Sequence, residues 1–319
     1  MSVEAHQIIP IPEPPAKQDS ASTSVRRSLS SPWASALVVA LTILWTIPTF
    51  GLLVTSLRPT EQAEGSGWWT AFTNPAFTLD NYKEVLTGGE IIPGGITPYL
   101  VNSFVISIPG AIFPLIIALM AAYALAWVPF RFATSLFLLV FALQVVPLQM
   151  ALLPLLTLFN KGWGIGNTTI IPALNVGNSF VPLWLAHTMF ALPLAIFLLH
   201  NFIAALPREL FEAARVDGAS HFLIFRKIVL PLSVPAIAAF AIFQFLWVWN
   251  DLLVALTFAG GTSDVAPITA YLSNVKGTYG ARLDLITAGA FCAIVVPLIV
   301  FLALQRYFVR GLLAGSVKG

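Results

Sequence analysis

Six stretches of this chain run almost without a charge for long enough to cross a bilayer, and no other feature narrows its possible folds as much. They lie at about Trp33–Leu57, Leu100–Trp127, Thr134–Phe159, Phe180–Leu206, Leu232–Phe258 and Leu285–Phe308. About 20 apolar residues span the hydrocarbon core as a helix. Inside hydrocarbon every backbone N–H and C=O must be paired within the protein, so only helices and closed barrels cross. Barrel strands alternate apolar and polar residues, whereas these runs are continuous. Charge agrees with helices in lipid: 9% of the residues are charged, against about 25% in soluble domains. The expectation is an all-α integral membrane protein of six transmembrane helices, with the lipid bilayer as its solvent.

Basic residues in the connections set the orientation, because Lys and Arg accumulate on the cytoplasmic side. With the N-terminus inside, the inner segments hold Lys17, Arg26, Arg27, Arg131, Arg208, Arg215, Arg226, Lys227, Arg306, Arg310 and Lys318. The outer ones hold Arg58, Lys83, Lys161, Lys276 and Arg282, eleven against five. Both termini are therefore expected in the cytoplasm. Residues 1–31 are rich in Pro, Ser, Ala and Glu without hydrophobic periodicity and read as a disordered cytoplasmic tail. A secretory leader is disfavoured, because the apolar run that follows is long enough to span. Residues 32–319 are then the transmembrane domain. The first outer connection, Arg58 to Tyr99, carries Trp68-Trp69 and Asp80-Asn81-Tyr82 and is long enough for a small extracytoplasmic cap. The last, Ala259 to Asp284, is rich in Gly and Thr, including Gly260-Gly261, Gly277 and Gly280, and predicts a mobile loop.

Chemistry is conspicuously missing. No G-x-x-x-x-G-K-[ST] phosphate loop occurs, and Gly162-Trp163-Gly164-Ile165-Gly166 lacks the following Lys-Ser/Thr. The four histidines are scattered and Cys292 is the single cysteine, so no metal site and no disulfide framework is expected. Nothing suggests nucleic acid. The chain reads as a non-catalytic protein with no cofactor of its own. Within the spans the one carboxylate is Asp251, beside Trp249 and Asn250 at the outer end of the fifth. Trp249 and Asp251 are candidates for an outer gate or a partner contact, with a polar helix end as the plainer alternative. Gln144 and Gln149 flank Pro147, and Gln244 lies midway along the fifth span. Such groups face protein or water rather than lipid. Helix packing and a solute path both account for Gln144, Gln149, Gln244 and Asn250. Gln144 and Gln149 line one path only if the third span bends at Pro147, since five residues turn an ideal helix by roughly 140°. Further prolines interrupt the spans at Pro48, Pro109, Pro114, Pro154, Pro193 and Pro297.

Polar sequence returns between spans four and five, in residues 207–231. Pro207 suits the first turn of a helix. Arg208 to Val216 are mostly helix formers, and Gly218 after Asp217 is a stop signal. A second short helix is predicted from about Ser220 to Lys227. Ala213 and Ala214 would let another surface come close, which makes the loop a docking element.

The loop fits the pattern E-A-A-x3-G-x9-I-x-L-P without a gap, through Glu212-Ala213-Ala214, Gly218, Ile228 and Leu230-Pro231. In this it resembles the inner-membrane permease subunits of ABC importers. Asn102-Ser103, Ala121-Ala122-Tyr123-Ala124, Gly166-Asn167-Thr168, Pro231-Leu232-Ser233 and Trp249-Asn250-Asp251 resemble the carbohydrate-uptake branch. The ending, Gln305 to Leu312 and Val317-Lys318-Gly319, is similar to that of the smaller maltose-type subunit. The resemblance implies a type I importer permease fold in a bacterial cytoplasmic membrane. It implies a second permease as partner, two ATPase subunits that bind ATP and Mg, and an extracytoplasmic solute-binding protein. Glu212, Ala213, Ala214, Asp217, Gly218, Ile228, Leu230 and Pro231 would couple the chain to the ATPase. The solute would be a sugar or oligosaccharide. Polyamine, phosphoester or amino acid permeases share the loop pattern, and a stand-alone secondary carrier is the alternative outside the family. The Gly260-Gly261 loop is a candidate for touching the binding protein.

Overall fold

A computed structural model describes residues 32–89, 94–166, 168–174, 176–259, 263–278 and 282–316. The tail at residues 1–31, Asn167, Gly260-Gly261, Gly280 and Val317 to Gly319 lie outside the described residues. Five helices are long and apolar enough to cross a membrane, and a sixth crossing comes from a bent pair. Helix α1 is Pro32–Ser56. Its part up to Leu52 belongs to a compact unit separate from Leu53–Gly319. That part is apolar all round, with Thr42 and Thr46 hydroxyls turned back onto the carbonyls of Val38 and Thr42. A helix apolar on every side suits lipid.

The connection between spans one and two folds as α2 (Thr60–Gly65), a 3₁₀ turn (Trp68–Phe72) and α3 (Asp80–Thr87). Arg58, 1% exposed, organises it. Its guanidinium donates to the carbonyls of Ser66 and Gly67 and to the hydroxyls of Ser66 and Thr70, at 2.7–3.2 Å. Arg282 ties α2 to the start of the last span through Thr60 Oγ1 (3.1 Å) and Asp284 (2.7 Å). The hydrogen bond to Asp284 holds Arg282 above its ordinary pKa.

Span two is α4 (Thr97–Trp127) and span four is α7 (Val181–Ala204). They pack through Ala118, Ala122, Ala191 and Ala195, all buried. Small side chains let membrane helices approach closely. The loop helix α8 (Arg208–Val216) follows. The second short helix predicted in this loop is not separate. The four-residue α9 (His221–Ile224), a π-helical segment (Phe225–Val229) and α10 (Leu230–Asn250) run on as one 30-residue helix. The wider π turn makes room for the Pro231 ring, which would otherwise press on the carbonyl four residues back. The fifth span therefore starts before Leu232 and ends at Asn250. Residues up to Phe258 form a separate α11 (Leu253–Phe258).

The third span is corrected most. It is two helices, α5 (Ala133–Leu143) and α6 (Leu148–Lys161), bent by 100°. Gln144, Val145 and Val146 each bond three residues back, in a tightened turn. Pro147 then turns the chain extended, at φ −61° and ψ 130°. An exposed antiparallel hairpin, β1 (Trp163–Ile165) with β2 (Thr168–Ile171), joins α6 to α7.

Within the last connection, residues 263–278 are not the loose loop that composition predicts. They contain α12 (Ile268–Thr278), with Val265, Ala266 and Ile268 buried. Two residues opening span two pin them. Asn102 Nδ2 donates to the carbonyls of Ser263 (2.8 Å) and Ala266 (3.0 Å), and Ser103 Oγ accepts from Ile268 N–H (2.9 Å). Helix α13 (Leu283–Ser316) closes the chain.

Prolines inside spans remove a donor and strand the carbonyl four residues back. In three places another helix supplies the missing hydrogen. Pro109 frees Val105 O, which accepts from Trp184 Nε1 at 2.8 Å. Pro114 frees Gly110 O, which accepts from Gln244 Nε2 at 3.3 Å. Pro297 frees Ala293 O, which accepts from Trp249 Nε1 at 3.2 Å. These bonds stitch α4 to α7, α4 to α10, and α13 to α10.

Candidate functional site: a docked loop helix and a cavity at the broken span

Helix α8 starts after Pro207, with Glu209 in its first turn and Arg215 in its last. Both charges complement the helix dipole. It ends in a Schellman motif: Gly218 N–H bonds Arg215 O at 3.0 Å, and Ala219 N–H bonds Ala214 O at 2.9 Å. Gly218 sits at φ +76°, and a Cβ there would meet nothing within 4 Å. The backbone angle alone demands glycine here. Ser220 then caps α9, accepting from Leu223 N–H through its hydroxyl.

One face of α8 is fastened to the membrane helices. Phe211 is 1% exposed and stacks on Trp127 with ring centroids 3.6 Å apart and planes 8° from parallel. Trp127 Nε1 donates to Ile203 O (3.0 Å), and Arg215 donates to Trp127 O (3.1 Å). Tyr123 and His221 share a 2.9 Å hydrogen bond, which ties the next helix to α4 as well. Ala214, Ile228 and Leu230 pack on the same apolar cluster. Ala214 therefore faces inward, and of the Ala213-Ala214 pair only Ala213 is exposed. Glu212, Asp217, Gly218 and Pro231 are each at least partly open to the outside. So are Val216 (88% exposed) and Phe222 (71%), apolar side chains standing in a polar loop.

Trp127, Phe211, Val216 and Phe222 went unmarked by sequence reasoning. Phe211, Ala214 and Arg215 do follow the i, i+3, i+4 spacing of one helix face, a signal present in the sequence. Trp127 carries no local signal, because its partner lies in another segment.

The second feature lies at the break between α5 and α6. A cavity of about 560 Å³ opens there, with Gln144, Pro147, Phe190, Pro193 and Trp247 in its wall. Beside it a void of about 20 Å³ is lined by Gln144, His187, Gln244 and Trp247. The structure thus brings Gln144 and Gln244 together and leaves two other candidates out. Gln149 lines neither space. Asn250 bonds back to Leu246 O in its own helix.

Trp249 and Asp251, candidates for an outer gate or partner contact, are used inside the chain. Trp249 is 2% exposed, packs on Phe104 and Phe245, and bonds Ala293 O, so it has no face left for a partner. Asp251 starts α11 by accepting from Ala255 N–H at 3.1 Å, and lies 3.9 Å from His187 Nε2. No cluster of three or more metal-ligating side chains occurs among the described residues.

Comparison with known proteins gives a consistent picture. Residues 114–313 match the family described as "Binding-protein-dependent transport system inner membrane component". The osmoprotective compounds uptake permease protein GgtD of Synechocystis sp. is 50% identical over 285 residues, 88% of this chain and 90% of that one. The alpha-glucoside transport system permease protein AglG of Rhizobium meliloti is 54% identical over 81% of this chain and 66% of its own length. A crystal structure of a bacterial ABC transporter that imports alginate aligns with a TM-score of 0.65 at 17% identity. It covers 91% of this chain and 98% of that one, a likeness of fold.

Proposed function

The chain belongs to the inner membrane components of binding-protein-dependent transport systems, and from that premise we propose that it is a permease subunit of a saccharide-importing ABC transporter in a bacterial cytoplasmic membrane. It pairs with a second permease, two ATPase subunits bind and hydrolyse ATP with Mg, and an extracytoplasmic binding protein delivers the solute. The eleven-to-five distribution of Lys and Arg favours termini and loop helix in the cytoplasm.

The observation that carries this reading is the two-faced α8. Its inner face is held by the Phe211–Trp127 stack and the Arg215 bond, while Glu212, Ala213 and Val216 face outward. Ala213 permits close approach, Val216 offers apolar area and Glu212 offers charge. A displacement imposed on that outer face by an ATPase subunit passes through the stack to α4. It also passes through the unbroken run from His221 to Asn250 into the fifth span. Rigid elements with few hinges transmit such motion. The saccharide assignment is supported by the alpha-glucoside relative.

The experiment is ATP-dependent uptake of labelled sugars by the reconstituted complex. Glu212→Lys is expected to abolish uptake and solute-stimulated ATP hydrolysis while the chain stays membrane-inserted. Normal uptake by that variant would overturn the docking role.

A further inference from the structure

The cavity at the broken span has the chemistry of a ligand site, and its walls speak to the class of ligand. Its volume of about 560 Å³ falls among small-molecule sites, roughly 300–1,000 Å³. No Asp, Glu, Lys or Arg lines it or the void beside it. A polyamine, a phosphoester or an amino acid would bring charges that such a wall leaves unpaired, and an unpaired charge away from water is strongly disfavoured. Asp251, the carboxylate behind His187, is already accepting from Ala255 N–H.

The wall does offer neutral hydrogen-bonding groups beside flat apolar ones. Trp247 and Phe190 supply rings. His187 is 4% exposed and lines the small void, and its ring makes no hydrogen bond among the described residues. Gln244 spends its Nε2 on Gly110 O and keeps Oε1 as an acceptor. Pro193 frees the carbonyl of Met189, as the prolines of α4 free theirs. Here, among the described residues, no side chain donates to that carbonyl, and Met189 and Pro193 both line the cavity. Gln144, exposed on the wall, adds an amide with both donors and acceptor.

We infer that the cavity bounded by Gln144, Met189, Phe190 and Trp247 is a solute subsite within this chain for a neutral saccharide unit. Hydroxyl groups of the sugar take up Gln144 and the Met189 carbonyl, while Trp247 covers an apolar ring face. This rests on the reading of the chain as a saccharide permease.

The single cysteine makes the test clean. In a Cys292→Ser background, Gln144→Cys is labelled with a maleimide in the reconstituted complex, and Phe72→Cys in the outer cap serves as control. Maltose, sucrose and trehalose are the probes, with spermidine, glycerol phosphate and glycine for comparison. At least one sugar is expected to slow labelling at position 144 several-fold and leave position 72 unchanged. In parallel, Gln144→Ala is expected to raise KM for the imported sugar about tenfold with kcat nearly unchanged, the size of one lost neutral hydrogen bond. Sugar import without protection at position 144, or a loss in kcat alone, overturns the subsite and leaves the permease reading standing. Import of spermidine or glycerol phosphate instead of sugar overturns the saccharide reading, and the subsite falls with it.

Discussion

Pro114 and Pro147 are the same residue in two membrane-spanning segments, yet α4 runs on through one and the third span stops at the other. What differs is where the freed carbonyl finds a hydrogen. At Pro114 it comes from Gln244, on another helix. At Pro147 the carbonyl is that of Leu143, and it accepts from Val146 N–H at 3.2 Å within the same turn. A donor brought by a neighbouring helix lets the helical path continue. A local donor tightens the chain into a turn, and the 100° bend follows. In lipid either partner relieves the freed carbonyl, which has no water to turn to. The bend also leaves Gln144 exposed on a cavity wall, whereas Gln244 is held by its bond to α4.

Trp249→Phe breaks this comparison hardest. It removes the donor to Ala293 O and part of a buried ring, and is expected to cost roughly 2–3 kcal/mol, read from thermal unfolding in detergent. A shift within error would mean that the carbonyl freed by Pro297 needs no partner. A double-mutant cycle on Gln244→Leu and Pro114→Ala sharpens the point. The alanine restores the N–H, so the loss from Gln244→Leu should shrink by about 1 kcal/mol in that background. Additive losses would show that Gln244 acts independently of the proline. Pro147→Ala is expected to change stability least, by under about 1 kcal/mol. Spin labels at Leu138 and Leu153, both exposed, should nevertheless report a longer separation as the bend opens. An unchanged distance would place the cause of the bend in the packing of α5 and α6 rather than in the proline.

The loop between spans four and five was the most legible part of the sequence. Its start at Pro207 and its stop at Gly218 depend on φ angles that neighbouring residues dictate, and both lie where the pattern puts them. The inward face was less legible, since Phe211 means little until Trp127 is brought against it. Gln144 and Gln244 were picked out by their polarity, but nothing in the sequence separated them from Gln149 and Asn250. The described part of the last connection, residues 263–278, departs from its composition for a related reason. Gly and Thr predict freedom, but Asn102 and Ser103, more than 160 residues earlier, hold its backbone.

The sequence by itself determined that this chain is a bundle of membrane helices with one polar loop between spans four and five. Apolar run length, charge scarcity and the Pro and Gly stops are local quantities that need no partner to act. Only the tertiary structure decided which prolines break a helix. The deciding donors are Trp184, Gln244 and Trp249, and they lie 79, 134 and 44 residues from the carbonyls they reach. A hydrogen bond across that separation exists only once the helices have packed, and the cavity at Pro147 stands where the turn closes on itself instead.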